Sequence, residues 1–222
     1  AGALIEIEGT PDDIDRFLTR LRGDPPPLAV IEAVDIEHIP ASGGTGFRIE
    51  DTSRSDGGRT LVSPDVAMCA DCEAELRDPA DRRYRHAFVN CTNCGPRFTI
   101  IAALPYDRAN TTMAAFPMCQ GCAAEYADPS DRRFHAQPVC CPHCGPALSY
   151  RDGGGHRIAA EAGLRRARRL LRDGGILAVK GIGGYHLACD AANDDAVTEL
   201  RRRKRRGDKP FAVMVAHPAM AR

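Results

Sequence analysis

Eight cysteines constrain this chain more than any other feature. They run Cys69-x2-Cys72-x18-Cys91-x2-Cys94 and then Cys119-x2-Cys122-x18-Cys141-x2-Cys144, each member of the second set fifty residues after its counterpart. The shared positions extend past cysteine: Asp78-Pro79 answers Asp128-Pro129, Asp81-Arg82-Arg83-Tyr84 answers Asp131-Arg132-Arg133-Phe134, and Cys94-Gly95-Pro96 answers Cys144-Gly145-Pro146. This is a tandem duplication of one structural unit. Two residues between cysteines let a tight turn aim both thiolates at one ion, and four sulfurs at about 2.3 Å close the tetrahedral shell of a structural zinc. A closed shell leaves no open coordination position, so no catalysis is assigned to these metals. Each repeat is too short to bury a core, and the metal must supply its folding energy. Ligation inside each repeat is the simpler arrangement, because a unit carrying four ligands was complete before it duplicated.

Alternative uses of the cysteines fit less well. A redox role for CxxC needs a thioredoxin-like βαβ context that is missing here. Disulfides need an oxidising compartment. "AGALIEIEGTPDD" has no basic start or apolar core of a signal peptide, and no apolar run approaches the ~18 residues of a membrane span. The expected location is therefore cytoplasmic, without membrane attachment. Lys plus Arg and Asp plus Glu balance at 30 each among 222 residues, so no net charge draws the chain to nucleic acid. Glycine after each second pair, at Gly95 and Gly145, suits a turn exit with positive φ. Cys140 reads as a spare thiol beside ligand Cys141, His143 as an outward side chain, and Cys189 as a small packed hydrophobe. His86 and His135 are not at matching repeat positions.

The flanks are α/β in character. Residues 3–9 alternate apolar and acidic residues like a half-buried strand. Thr10 as N-cap, Pro11 at the first helical position and acids in the first turn announce a helix ending near Gly23, with Ile14, Phe17, Leu18 and Leu21 on one face. Residues 28–39 and 46–51 read as further strands and 52–59 as a polar linker. After the cysteines, 151–156 reads as a linker and 161–175 as a helix with Leu164, Ala167, Leu170 and Leu171 inward. A strand, a glycine turn and a second strand follow over 176–191. Asn193 caps another helix, and 209–216 reads as a buried strand. Lys180 leaves its strand into Gly181-Ile182-Gly183-Gly184, where backbone amides could approach a phosphate; glycines serve plain turns as well. Lys204, Arg206 and Lys209 surround a helix end, where cations could neutralise a nucleotide or simply complement the helix dipole. The residues alone leave these two readings level.

The order of parts resembles a known family. Residues 1–53 are similar to the second half of an acylphosphatase, and the double cysteine array is of the kind that HypF carries. "KGIGGYHL" and "RRKRRGDKPFAVMV" resemble the nucleotide-binding start of a YrdC-like domain, similar to the threonylcarbamoyl-adenylate synthases. Together they resemble the HypF family, the carbamoyltransferases of nickel-iron hydrogenase maturation. The resemblance implies an α+β, multidomain chain. Its parts would be a partial acylphosphatase-like (ferredoxin-like) sandwich over 1–53, a linker over 54–65, tandem zinc modules over 66–149 (66–100 and 116–149), a linker over 150–160, and the start of a YrdC-like α/β domain over 161–222. It implies two structural zinc ions, ATP with magnesium and carbamoyl phosphate as substrates, and transfer of a carbamoyl group to the C-terminal cysteine of HypE. Carbamoyl adenylate would be the intermediate, with Lys180, Gly183, Gly184, Lys204, Arg206 and Lys209 against the nucleotide. The family's phosphate loop and catalytic asparagine would precede Ala1, so no catalytic residue is named and the chain is expected to be inactive alone. The rival reading is a non-enzymatic zinc module for protein or nucleic-acid interaction. A DnaJ-like array would carry CxxCxGxG glycines, and a nucleic-acid reader a basic zinc region with exposed aromatics; here acids are interleaved with the arginines.

Overall fold

The computed structural model describes residues 3–49, 63–181 and 184–221. The chain divides into two compact units, Ala1–Pro146 and Ala147–Arg222. Among the described residues no helix is long and apolar enough to cross a membrane.

In the first unit, helix α1 spans Pro11–Gly23. Its start obeys the capping rules: Thr10 is extended and its hydroxyl accepts from the Asp13 amide, Pro11 opens the helix, and Asp12 and Asp13 meet the positive dipole end. Ile14, Leu18 and Leu21 are half-buried on one face. The segments expected as strands at 3–9, 28–39 and 46–49 are extended but join no ladder among the described residues. Their apolar side chains stay largely exposed, Leu4 at 90% and Val30 at 85%. Alternation prepares a segment for a sheet, but a strand exists only once a neighbour takes its amides and carbonyls. Glu8 ties the first segment to the loop near residue 42, accepting from the amide and hydroxyl of Ser42 and the amide of Gly43. The linker expected over 52–59 lies outside the described residues.

Two near-identical modules follow. Helix α2 (Ala70–Arg77) starts at Cys69 and helix α3 (Gln120–Ala127) at Cys119, each cysteine holding the extended N-cap conformation. The first CxxC of each module therefore straddles a helix start, where the dipole favours thiolates. Each helix leads through an Asp-Arg-Arg turn to a residue with left-handed φ, +58° at Arg85 and +52° at His135, and then to the second CxxC.

In the second unit, residues 150–160 are not the expected linker. Strands β1 (Ser149–Arg151) and β2 (Arg157–Ala159) pair antiparallel as a hairpin, with Tyr150 opposite Ile158. Asp152 makes its turn by accepting from the amides of Gly154 and His156. Helix α4 (Ala160–Arg172) packs on this hairpin. Gly163 is the point of closest approach, since a Cβ there would sit 2.8 Å from the Tyr150 Cβ. That approach turns the buried face towards Gly163 and Ala167 and leaves Leu164 37% exposed, where the sequence placed it inward. Strands β3 (Leu177–Gly181) and β4 (Gly184–Ala188) form a second antiparallel pair, with Gly181 opposite Gly184. Helix α5 (Asp194–Lys204) is capped by Asn193, whose side chain accepts from the Ala196 amide. Residues 209–216, expected as a buried strand, are extended without a ladder partner among the described residues, and Met214 is 99% exposed.

Candidate metal centres and the basic loop

The eight cysteines converge on two points. The sulfurs of Cys69, Cys72, Cys91 and Cys94 lie within 4.8 Å of one another, as do those of Cys119, Cys122, Cys141 and Cys144. Four sulfurs at zinc bonding distance stand about 3.8 Å apart along a tetrahedron edge. The observed separations are 3.7 Å for Cys69–Cys91, 3.8 Å for Cys91–Cys94, 3.7 Å for Cys119–Cys141, 3.8 Å for Cys141–Cys144 and 3.6 Å for Cys122–Cys144. The donor set and its spacing fit zinc, and each set comes from one repeat. These are two four-cysteine zinc-binding sites. Cys69 is the half-buried ligand of the first, and both Cys119 and Cys144 are half-buried in the second.

The glycines after the second pairs do different jobs. Gly95 has φ +99°, the left-handed region the turn exit calls for, and a Cβ there would also approach Asn90 Cβ to 2.6 Å. Gly145 has no such φ. Its requirement is space, because a Cβ would stand 2.7 Å from Cys140 Cβ and 3.1 Å from the Cys141 carbonyl.

The repeats also hold each other, related by an approximate two-fold. Arg83 donates from Nη1 to Glu125 Oε1 at 2.9 Å, pairs through Nη2 with Glu125 Oε2, and reaches the Cys140 carbonyl from Nε at 2.9 Å. Arg133 does the same to Glu75 and to the Asn90 carbonyl, the latter at 3.1 Å. These positions correspond at the fifty-residue offset. Burial raises the carboxyl pKa of Glu75 and Glu125, yet the facing guanidiniums outweigh it and hold both below the usual carboxylate range. Asn90 donates to the Pro138 carbonyl at 3.0 Å, and Cys140, at the matching position, meets the Phe88 carbonyl at 3.5 Å. Cys140 is thus a packed thiol 2% exposed and outside both ligand sets. Burial pushes it up to about 11. His86 Nε2 lies 3.4 Å from its sulfur, and burial, then the charge of Arg83, lowers this imidazole to about 4. His143 is exposed.

Two further arginines went unnoticed in the sequence. Arg97 is 8% exposed and donates to the carbonyls of Cys91, Thr92, Cys94 and Pro96 around the first knuckle. Arg108 donates to those of Phe116, Gln137 and Val139 beside the second. Each satisfies carbonyls that a loop-rich module cannot pair in a ladder. Neither has a counterpart at the repeat offset, so the duplication pattern passes over them.

The expected nucleotide residues lie in the second unit. Lys180 stands exposed on β3 opposite Tyr185, and Gly184 opens β4 with φ +150°; Gly183 lies outside the described residues. Lys204 ends α5, and Arg206 and Lys209 share the loop after it. That loop is organised by Arg201, which donates to the carbonyls of Gly207 and Lys209, and by Arg206, which donates to that of Pro210. Both guanidiniums stack on Phe211, at 4.8 and 5.3 Å. Arg202 and Arg203 both pair with Glu199, at 2.7 and 2.6 Å. No carboxylate among the described residues pairs with Lys180, Lys204, Arg206 or Lys209. No hydrogen bond among the described residues joins Lys180 to the loop.

Two duplicated four-thiolate modules followed by a hairpin, a capped helix and a basic loop define a tandem zinc-finger protein joined to a YrdC-like unit. A family described as "HypF finger" matches residues 68–101 and 118–150, and the Sua5/YciO/YrdC family, described as "Telomere recombination", matches 169–222. Carbamoyltransferase HypF2 of Cupriavidus necator is 54% identical over 223 residues, covering all of this chain and 28% of that protein. Carbamoyltransferase HypF of Synechocystis is 54% identical over 215 residues, covering 96% of this chain and 28% of the relative. A crystal structure of full-length HypF in a phosphate- and nucleotide-bound form matches with TM-score 0.85 and 47% identity, over 96% of this chain and 28% of that one. HypF of T. kodakarensis matches with TM-score 0.80 and 49% identity, over 93% and 26%. The chain is similar to these HypF proteins along nearly its whole length and spans a little over a quarter of theirs, 28% of the first.

Proposed function

We propose that this chain is part of a cytoplasmic ATP-dependent carbamoyltransferase of hydrogenase maturation. In this reading the whole protein splits carbamoyl phosphate, joins the carbamate to ATP with magnesium as carbamoyl adenylate, and passes the carbamoyl group to the C-terminal cysteine of HypE. The supporting observation is the identity to HypF carbamoyltransferases along the full chain, across zinc modules and basic loop alike. Carbamate decomposes quickly in free water, so its hand-over belongs inside one protein. Adenylation gives it a good leaving group, splitting one hard step into two easier ones. The zinc modules act as a rigid spacer between catalytic parts. Lys180, Gly183, Gly184, Lys204, Arg206 and Lys209 form the nucleotide end of the site, where cations with no carboxylate partner among the described residues meet the charge developing on the α-phosphate.

The test uses the intact enzyme and carbamoyl-phosphate-dependent ATP–pyrophosphate exchange. Lys204→Met is expected to lower exchange roughly a hundredfold, the effect of losing one well-placed charge contact, with zinc content unchanged. Arg202→Met and Arg203→Met, whose guanidiniums already engage Glu199, are expected to leave it within a few-fold. Equal losses at all three positions would reduce the loop to a diffuse basic face. Absence of any carbamoyl-phosphate-dependent exchange in the intact protein would overturn the whole reading.

A further inference from the structure

The duplication does more than place two metals side by side. From the Asp-Arg-Arg turn of each module the first arginine crosses to the other module and donates to its second ligand. Arg82 Nη2 is 2.6 Å from Cys122 Sγ, and Arg132 Nη1 is 3.2 Å from Cys72 Sγ. Each guanidinium is held in place by the glutamate one helical turn beyond that cysteine: Arg82 lies 3.5 Å from Glu125, and Arg132 pairs with Glu75. The two arginines correspond at the repeat offset, as do the two cysteines and the two glutamates.

We propose that Arg82 and Arg132 are positioning residues that couple the two zinc sites, each module supplying a cation to the thiolate shell of the other. A zinc ion in four thiolates carries a net charge of about −2, and such a centre needs donors aimed at its sulfurs. Within a module these include the Asn93 amide, 3.3 Å from Cys91 Sγ. The crossing arginine adds a full charge. Its own placement depends on local order in the module it leaves. The Asp81 carboxylate accepts from the Arg83 amide at 2.6 Å and the Asp131 carboxylate from the Arg133 amide at 2.7 Å, in turns that continue directly from α2 and α3. Metal in one site orders its helix and turn, and so aims the arginine that supports the other metal. Coupling of this kind is reciprocal by thermodynamic necessity.

An independent observation points the same way. Gly121, in the first turn of α3, lies under the Arg82 guanidinium, and a Cβ there would stand 2.2 Å from Arg82 Nη1. The matching position in the first module is Asp71. By helix propensity alone, alanine at 121 should strengthen α3. If the guanidinium is what matters, Gly121→Ala displaces it and weakens the second metal site.

The experiment loads the 222-residue chain with cadmium-113, so that each site gives its own resonance, assigned through couplings to cysteine β-protons. Arg82→Met should move the resonance of the Cys119/Cys122/Cys141/Cys144 site, and Arg132→Met that of the Cys69/Cys72/Cys91/Cys94 site. In the zinc form, Arg82→Met should speed metal release from the second site to a chromogenic chelator about tenfold, or about 1.4 kcal/mol. Arg82→Lys should recover part of that, and Gly121→Ala should reproduce the loss with Arg82 intact. Cys91→Ala, which removes the first metal, should speed release from the second site by a similar factor, and adding Arg82→Met should bring little more. The proposal fails if the resonance shifts land on the module that carries the substituted arginine, or if Gly121→Ala slows release. It also fails if the Cys91→Ala and Arg82→Met factors simply multiply.

Discussion

Arg83→Met tests whether the two modules stand as one folded body. Arg83 is 1% exposed, and the substitution removes its bidentate partner from Glu125, whose side chain is 18% exposed, together with a donor to the Cys140 carbonyl. Methionine keeps most of the apolar stem, so little of the effect is a cavity. Taking one partner from a buried ion pair costs ~3–5 kcal/mol. Glu125 keeps some contact with water, which places the expectation at the low end, about 3 kcal/mol. At ~4–8 °C per kcal/mol for a region of this size, the transition of the zinc-loaded modules should fall by roughly 12 °C or more in scanning calorimetry. Arg83→Met/Glu125→Leu removes both charges and should regain at least half of that loss, because the penalty lies in a buried carboxylate left with only Arg82, 3.5 Å away. Arg83→Lys, unable to fork onto two oxygens, should fall between. Arg133→Met with Glu75→Leu should repeat the pattern across the two-fold. A shift under 2 °C for Arg83→Met, or a double variant no more stable than the single, would refute the reasoning.

Three further outcomes are expected. Metal analysis of the reduced chain should give two zinc ions, and of Cys91→Ala one; retention of two, or loss of both, would contradict ligation within each repeat. His86 is held at about 4 in the fold against an ordinary value near 6.5, so the unfolded chain binds the extra proton and stability falls as pH drops from about 6.5 towards 4, by up to ~1.4 kcal/mol per unit. Melting curves at pH 7.5 and 5 should show a smaller difference for His86→Leu than for the parent, and an unchanged difference would remove His86 from the account. Gly95→Ala forces a side chain onto φ +99° and within 2.6 Å of Asn90 Cβ, so it should destabilise the first module by about 2 kcal/mol or more; equal melting temperatures would show that the turn has room to relax.

Local chemistry was readable from the residues alone. The cysteine spacing names the ligands and their grouping because a CxxC turn is built from neighbouring residues. Thr10 and Asn193 mark their helix starts for the same reason, since a cap is satisfied within three residues. The doubled Asp-Arg-Arg was visible as a repeat, but its partners stand about forty to sixty positions away and only the folded pair of modules shows that Arg83 faces Glu125 and Arg82 faces Cys122. The same limit applies to 3–9, 28–39 and 209–216: alternation records which side chains could share a face, whereas strand pairing depends on a second segment at hydrogen-bonding distance. Residues 151–156 erred in the opposite direction, their glycines hiding a hairpin that α4 stabilises by packing on Tyr150. Sequence determined what each short stretch could bind or cap, and tertiary structure decided which distant charge would face which thiolate, because the free energy of such a contact comes from burial that no single stretch possesses.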